Sequence, residues 1–272
     1  MKFWRISQPE CNSDYKHSYV NGSLEHPYGL PGVECELCGA TWGGSRNLPF
    51  QCPESLRHHK NFIERWPVTR REHELLQHTL AAALRENEHS FGEFRPGDSL
   101  QPCFLDVPSL PRADFLWSSI RSLVVSERIR ATLVGSWPDD VIACPVTLRK
   151  IGRREANLSP PIPSTGEPED IIDEVPLCHD VSPVGPYFEI LVQKESDYPP
   201  GGTPVTTCLG CGRPTIDAST RQIRMTPEMW KGDDIFFLAT TLHVIVSDDV
   251  YKRLATLHPT NVRFVDMGEL VP

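Results

Sequence analysis

The chain has 272 residues with 36 acidic and 27 basic side chains, a formal net charge of −9. This balance argues against general nucleic-acid binding, which depends on cations that neutralise phosphates. A hydrophobic content of 39%, with 26 prolines and 18 glycines, indicates a globular protein with much irregular backbone. The chain does not open with a basic stretch and an apolar run, and no apolar run approaches the roughly 20 residues that span a bilayer, so we expect a soluble, cytoplasmic protein without a membrane partner.

The most clearly marked helix covers residues 69–87. Thr69 and Glu72 have the spacing of a capping box, in which each side chain satisfies an amide at the helix start. Apolar residues recur with helical spacing and predict one buried stripe: Leu75, Leu76, Thr79, Leu80, Ala83 and Leu84. The segment HELLQH resembles a metalloprotease motif, but its histidines are five residues apart and leave the common face, so we predict a solvated face.

Residues 154–204 form a predicted connection between two halves. Recurrent prolines between residues 160 and 186 disfavour a long helix or a central strand in that part, and acidic residues cluster at 166–180. We therefore divide the chain into a first half (1–153), a proline-rich acidic connection (154–204) and a second half (205–272). If one metal ion joins the halves, they form a single folding unit.

An internal repeat links the two halves. DFLWSSIRSLVVSERIRATL begins at Asp114, and DIFFLATTLHVIVSDDVYKRL begins at Asp234. In each copy a β-branched run predicts a strand, a serine (Ser126 or Ser247) and following acids predict a helix start, and a second strand follows. We therefore predict an α+β fold built from two related strand–helix–strand units of a duplication, an inserted long helix and two zinc-knuckle turns.

Two CxxCG motifs, at Cys35/Cys38 and Cys208/Cys211, carry the most distinctive chemistry. Without a secretion signal, thiols are expected to remain free or to bind metal rather than form disulfides. Two cysteines separated by two residues can reach one ion, and the following glycine permits a left-handed turn. Together the motifs predict one shared Zn²⁺ site with four thiolates.

Three other interpretations of these cysteines remain open. Each pair could act as a redox couple, although neither begins an obvious helix. The pairs could bind separate ions, with Cys52 and His58 completing a local set around the first pair. Finally, the motifs could be degenerate and hold no metal.

No catalytic set is apparent in the sequence, and we predict that the protein is not an enzyme. There is no GxSxG motif, no glycine-rich phosphate loop after a strand and no carboxylate pair in a glycosidase context. The acids at Asp139–Asp140 and Asp248–Asp249 fit turn and helix-start positions.

The segments LPGVECELCGATW, CLGCG and DIFFLATTLHVIVSDDVYKRL…TNVRFVDM resemble the double-CXXCG motif paralogous family known from myxobacteria. The resemblance covers most of the chain from about Leu30. It implies an immunity protein that neutralises a contact-delivered polymorphic toxin of the swarming-inhibition type in the recipient cytoplasm. The residues that carry the family motif are Cys35, Cys38, Gly39, Cys208, Cys211 and Gly212.

The expected partner is therefore a cognate protein toxin, and a negative surface would speed its encounter with a basic toxin such as a nuclease. The candidate contact residues lie in the acidic segment: Glu167, Glu169, Asp170 and Asp173. A zinc-stabilised regulatory or scaffold protein with a different protein partner is the alternative, and an enzyme of unrecognised type comes third.

Overall fold

The structure, a computed structural model, describes residues 1–9, 22–44, 46–85, 94–107, 111–118, 122–151, 179–180, 186–197, 206–215, 225–238 and 243–270. These residues form an α+β fold. Its helices are α1 (Lys60–Ile63), α2 (Arg70–Arg85), α3 (Glu127–Ser136) and α4 (Asp248–Ala255). None of these helices is long and apolar enough to cross a membrane. The strands are β1 (Lys2–Ser7), β2 (Ser23–Glu25), β3 (Tyr28–Gly29), β4 (Val33–Glu34), β5 (Thr41–Trp42), β6 (Asn47–Gln51), β7 (Ser99–Gln101), β8 (Cys103–Val107), β9 (Phe115–Trp117), β10 (Leu123–Ser126), β11 (Val141–Ile151), β12 (His179–Asp180), β13 (Tyr187–Val192), β14 (Thr206–Thr207), β15 (Pro214–Thr215), β16 (Ile235–Phe237), β17 (Val244–Ser247) and β18 (Arg263–Glu269).

Two sheets organise the molecule. The large sheet has seven strands in the order β2–β8–β11–β13–β10–β9, with β12 paired to β11. The small sheet has four strands in the order β16–β17–β1–β18. Neighbouring strands are antiparallel except for β8 and β11. A three-stranded sheet, β3–β7–β6, and two short hairpins, β4–β5 and β14–β15, complete the β-structure of the described residues.

The small sheet repeats the geometry of four neighbouring strands in the large sheet, β9–β10–β13–β11. Ser247 lies opposite Phe3 in the small sheet, and Ser126 lies opposite Tyr187 in the large one. Both predicted strand–helix–strand units are therefore present, β10–α3–β11 and β17–α4–β18. Each belongs to a four-stranded arrangement with the same order and direction, and the registers agree except for a bulge in the β1–β18 pair between Phe3 and Trp4.

The two halves exchange strands. Along the chain, β1 precedes β9, β10, α3 and β11, and β13 precedes β16, β17, α4 and β18 in the same order. However, β1 lies between β17 and β18, whereas β13 lies between β10 and β11. β13 lies in the predicted connection, before residue 205; counted with the second half, it completes the sheet of the first half, as β1 completes that of the second, and the halves are interlocked.

β13 lies in the part of the chain that we predicted to be a surface connection, residues 154–204. Four of its six residues are buried, and it pairs with a strand on each side. Pro186 precedes the strand, so its missing N–H removes no ladder bond. The prediction of a surface connection over residues 154–204 was therefore wrong for Tyr187–Val192.

The serines before α3 and α4 have different roles. The Ser247 side chain accepts a hydrogen bond from the Val250 N–H at 3.5 Å, as expected of a helix cap. Ser126 makes no cap bond, and its hydroxyl instead donates to Asp114 at 2.8 Å. The predicted serine cap is thus confirmed for α4 and wrong for α3, because a tertiary acceptor lies within reach.

The two units share a hydrophobic core and make reciprocal polar contacts. Ile129 of α3 and Val250 of α4 both belong to this core and are fully buried. The Thr260 N–H and hydroxyl donate to the Asp114 carboxylate at 2.9 Å. In return, the Asp234 N–H donates to Asp140 at 3.1 Å. The loop after α4 therefore binds the residue before β9, and the loop after α3 binds the residue before β16.

The capping box of α2 is confirmed. The Thr69 N–H donates to Glu72 Oε2 at 2.9 Å, and the Glu72 N–H lies 3.3 Å from Thr69 Oγ1. The predicted stripe is correct at its buried members, Leu76, Leu80, Ala83 and Leu84. Leu75 is 66% exposed, however, and His73 is only 3% exposed. The buried face of α2 therefore includes His73 and excludes Leu75, contrary to our prediction. This face of α2 packs with residues of the β3–β7–β6 sheet, and β6 contacts the large sheet.

Candidate metal centre

The two CxxCG motifs form matching hairpins. The strand pair β4–β5 encloses the first motif and β14–β15 encloses the second, with equivalent register. Inside each turn the glycine N–H donates to the carbonyl of the first cysteine, from Gly39 to Cys35 and from Gly212 to Cys208, both at 2.8 Å. The chain therefore builds the same cysteine turn twice.

The glycines at the ends of these turns are required by backbone conformation. Gly39 has φ +65° and Gly212 has φ +75°, the left-handed region that side chains disfavour. An added Cβ would meet no other atom within 4 Å at either position. Conformation, rather than space, therefore explains the glycine after each CxxC.

Four sulfur atoms from distant parts of the chain converge between the hairpins. Cys35 Sγ lies 3.8 Å from Cys208 Sγ, and Cys38 Sγ lies 3.9 Å from Cys211 Sγ. All four sulfurs lie within 4.8 Å of one another. The structure thus brings together every residue of the predicted metal site.

This spacing fits a tetrahedral metal ion. Four thiolates at the Zn–S distance of about 2.3 Å would have sulfurs about 3.8 Å apart. The observed 3.8 and 3.9 Å separations are close to that value. A set of four cysteines is also a donor set that favours Zn²⁺ over hard cations such as Mg²⁺.

Backbone N–H groups prepare some of the thiols for metal binding. The Cys211 N–H stabilises the Cys208 thiolate and contributes most to lowering the pKa of Cys208 to about 6. The Cys38 N–H likewise lowers the pKa of Cys35. At Cys38 the Ala40 N–H favours the thiolate, but the Cys35 side chain, burial and the other sulfurs together raise the pKa of Cys38 to about 11. A cation at the centre would relieve this repulsion among sulfurs.

Positive groups lie beside the sulfur cluster. Arg70, at the start of α2, donates to the Gly210 carbonyl in the second hairpin. Arg70 and Arg71 line one cavity of about 300 Å³ together with Cys35 and Cys211. Because a divalent ion with four thiolates has an excess of negative charge, these arginines and the positive end of the α2 dipole would stabilise the occupied site.

The other predicted site residues do not join this centre. Cys52 is 1% exposed in the core under α2, whereas His58 is exposed, and neither belongs to a group of possible metal ligands among the described residues. The alternative of a local site with Cys52 and His58 is thus not supported. The predicted partner-binding acids lie outside the described residues: Glu167, Glu169, Asp170 and Asp173.

A second group of possible ligands was missed by sequence reasoning. Donor atoms of His26, Cys103 and Glu189 lie within 4.8 Å of one another, inside the protein. The only signal was the acid within the apolar strand YFEILV, which we had placed in the connection. Nothing in the local sequence of His26 or Cys103 relates these residues to Glu189.

Comparison with known proteins adds no relative. No model of a known protein family matches the chain, and no curated protein matches it. A proposal about function therefore depends on the cysteine motifs and the geometry described above.

Proposed function

We propose that Cys35, Cys38, Cys208 and Cys211 bind one structural Zn²⁺ ion, and that the chain is an immunity protein that neutralises a cognate protein toxin by stoichiometric binding. The observation that carries the proposal is the convergence of two intact CxxCG hairpins from distant parts of the chain. These motifs also carry the resemblance to the double-CXXCG family.

The proposed zinc has a structural role. Four thiolates complete a tetrahedral shell and leave no position for a water molecule or a substrate. The ion would join the first hairpin, next to α2, to the second hairpin, which precedes β16. Metal binding would then contribute directly to the stability of the folded chain.

The proposal includes an internal duplication. It is supported by the equal registers of the two four-stranded arrangements and by the equal registers of the two cysteine hairpins. The order strand, cysteine hairpin, strand pair, helix, strand occurs twice along the chain. On this account the region containing α2 is an insertion in the first copy.

Neutralisation by binding suits a rigid protein. A surface that is already ordered loses little conformational entropy when a partner binds. Interlocked sheets and a zinc ion would provide such a surface, and the net charge of −9 would favour approach of a basic toxin. We place this activity in the cytoplasm of the recipient cell, where a delivered toxin acts.

Co-expression with a toxin encoded by the gene immediately upstream tests this function. We expect the full chain to restore growth and to form a one-to-one complex with the toxin, measured by light scattering after size exclusion. The Cys208→Ser/Cys211→Ser variant should protect less, and Cys144→Ser, which changes a buried thiol outside the centre, is its control. A folded, zinc-loaded protein that neither protects nor binds would refute the immunity role. Recovery of a different, non-toxic partner from cells would support the scaffold alternative.

The acidic segment has its own test. We expect lysine at Glu167, Glu169, Asp170 and Asp173 to slow toxin association roughly 10- to 100-fold at low ionic strength, with a smaller effect in high salt. Glutamine and asparagine at these positions provide the charge-neutral control. Unchanged association would remove this segment from the interface and leave the immunity role standing.

A further inference from the structure

Glu189 is a carboxylate buried in the large sheet. It is 0% exposed and lies on β13 opposite Val124 and Cys144. No lysine or arginine of the described residues contacts it. An ionised carboxylate removed from water without a cation is expensive, so its neighbours must supply compensation.

The neighbours of Glu189 are polar, and one of them, His26, forms an ion pair with it when the imidazole is protonated. Asn47 Nδ2 donates to Glu189 Oε1 at 2.6 Å, and Gln101 Nε2 donates to Glu189 Oε2 at 3.4 Å. His26 Nε2 lies 3.0 Å from the same Oε2. Cys103 Sγ lies within 4.8 Å of the His26 and Glu189 donor atoms. An imidazole, a thiol and a carboxyl group are thus gathered around one point.

Gln101 supplies an independent indication that this cluster binds a ligand. The residue is 1% exposed, and its Oε1 has no hydrogen-bond partner among the described residues. Leaving a buried amide oxygen without a partner destabilises a folded protein. Because Gln101 Nε2 bonds to Glu189, the orphaned oxygen of the same amide lies at the edge of the cluster.

We propose that His26, Cys103 and Glu189 bind a second Zn²⁺ ion. The set of one nitrogen, one sulfur and one oxygen donor suits zinc, whereas the imidazole and thiolate disfavour Mg²⁺ and Ca²⁺. The two charges of the ion are cancelled by one thiolate and one carboxylate, so the buried site becomes neutral. The Gln101 amide oxygen, which has no partner among the described residues, would be available to accept a hydrogen bond from a water bound to the ion.

Metal binding at this site involves proton release and no redox step. The S–H bond of Cys103 breaks, a Zn–S bond forms, and the proton passes to solvent. His26 binds through a neutral ring nitrogen, so any proton on that nitrogen is also released. Zinc affinity at this site therefore rises with pH.

The site lies near a cavity and between two parts of the fold. Asn47, which donates to Glu189, also lines a cavity of about 180 Å³ together with Arg46. His26 precedes β3, whereas Cys103 begins β8 and Glu189 belongs to β13. The ion would therefore fasten the β3–β7–β6 region to the centre of the large sheet. This role is independent of the toxin partner.

Metal content of the purified full chain tests the proposal directly. After loading with zinc and extensive dialysis, we expect about two equivalents per chain by mass spectrometry of the elements. About one equivalent in the wild-type protein that Cys103→Ser leaves unchanged would overturn the proposal.

Two variants assign the second equivalent. Cys103→Ser and the isosteric Glu189→Gln should each bind about one equivalent, while cobalt-loaded protein keeps the absorption of the four-thiolate site. That absorption also shows that the variant has folded. Cys144→Ser removes a nearby buried thiol outside the cluster and should retain about two equivalents. Retention of both equivalents by Cys103→Ser or Glu189→Gln would overturn the proposal.

Discussion

The two matching sheets place opposite charges at equivalent positions. Arg5 of β1 and Glu189 of β13 occupy the same place in the register, and each contacts a histidine. Arg5 Nη1 lies 3.3 Å from His243 Nε2, and Glu189 Oε2 lies 3.0 Å from His26 Nε2. Burial, followed by the charge of Arg5, lowers the pKa of His243, so the neutral ring can accept from the guanidinium.

The two sheets share a backbone register at these positions but differ in the residues that pack on this face. The face around Glu189 is covered by the region that contains β6 and β7, which contributes Asn47 and Gln101. The corresponding face of the small sheet instead packs Phe3 and Phe236 against Met229. One scaffold therefore supports a polar junction in one half and an apolar core in the other.

The largest expected effect comes from Phe3→Ala in β1. Phe3 is fully buried and packs edge-to-face on Phe236 and Trp230. Its truncation should lower the free energy of unfolding by about 3–5 kcal/mol, measured with urea. Lys2→Ala, which removes a solvent-exposed ion pair with Asp266 and a cation–π contact with Trp4, should cost about 1 kcal/mol. Equal effects of the two substitutions would contradict the central position of β1 in the small sheet.

Zinc removal should give the next largest effect. At zinc a thousandfold above the dissociation constant, the bound ion stabilises by about 4 kcal/mol, so a chelator should lower the melting temperature of the wild-type protein. The Cys208→Ser/Cys211→Ser variant should already melt lower and respond less to the chelator. An identical chelator response in both proteins would show that the four-cysteine centre holds no stabilising metal.

This zinc effect should depend on pH. Binding requires thiolates, and the pKa of Cys208 is about 6 whereas that of Cys38 is about 11. Protons must therefore leave at least Cys38 when the ion binds near neutral pH, and affinity should fall as pH decreases. Zinc titrations at several pH values measure the proton release, and constant affinity from pH 8 to about pH 5 would contradict it.

Asparagine substitutions at the reciprocal carboxylates Asp114 and Asp140 should lower the free energy of unfolding by smaller and unequal amounts. Burial raises the pKa of Asp114, but hydrogen bonds, led by that from Arg128, outweigh it and hold the pKa well below its usual range. The main cause at Asp140 is burial, which raises its pKa. Asp114→Asn should cost about 1.5–3 kcal/mol at pH 7, because it removes charge-assisted bonds. Asp140→Asn keeps an acceptor for the Asp234 N–H and should cost less than about 1 kcal/mol.

Asp114 and Asp140 should also change the free energy of unfolding in opposite directions as pH changes. Because folding lowers the pKa of Asp114, this carboxylate stabilises the folded protein at pH values above its unfolded pKa of about 3.9. This stabilisation is lost as pH falls through the folded pKa. Because folding raises the pKa of Asp140, this group stabilises the folded protein at pH values below its unfolded pKa of about 3.9. That stabilisation is lost as pH rises through the folded pKa. Urea unfolding of both asparagine variants from neutral to acidic pH measures the difference. Parallel profiles for the two variants would rule it out.

Gly39→Ala and Gly212→Ala should have a smaller effect than Asp114→Asn. Each places a side chain at positive φ without a steric clash, so each should cost about 1–2 kcal/mol and the two costs should be similar. Gly210→Ala provides a contrast, because its Cβ would lie 3.1 Å from Cys35 Sγ and disturb the metal centre. Unfolding and zinc affinity separate the two causes. A loss of zinc affinity at Gly39→Ala alone would argue against equivalent hairpins.

Local patterns predicted the parts of the structure that local forces determine. The CxxCG spacing identified all four converging cysteines, and Thr69 with Glu72 marked the start of α2. The strand–helix–strand order was also readable, because β-branched runs and helix-start residues lie next to each other in the chain.

Non-local pairing explains what the sequence did not reveal. The partners of β1 and β13 lie in the other half, and no local signal assigns them. Ser126 was predicted to cap α3, but Asp114, brought close by folding, receives its hydroxyl instead. The strand that contains Glu189 was not predicted, because the prolines of this region suggested irregular structure. The strand begins just after one of them, Pro186.

The strand exchange has a consequence for synthesis on the ribosome. β13 emerges after β10 and β11 but lies between them, so the first unit leaves the exit tunnel with a gap in its sheet. β1 emerges first and meets its neighbours, β17 and β18, only at the end of translation. A nascent chain of this protein must therefore keep its earliest strand available until its last one has been made.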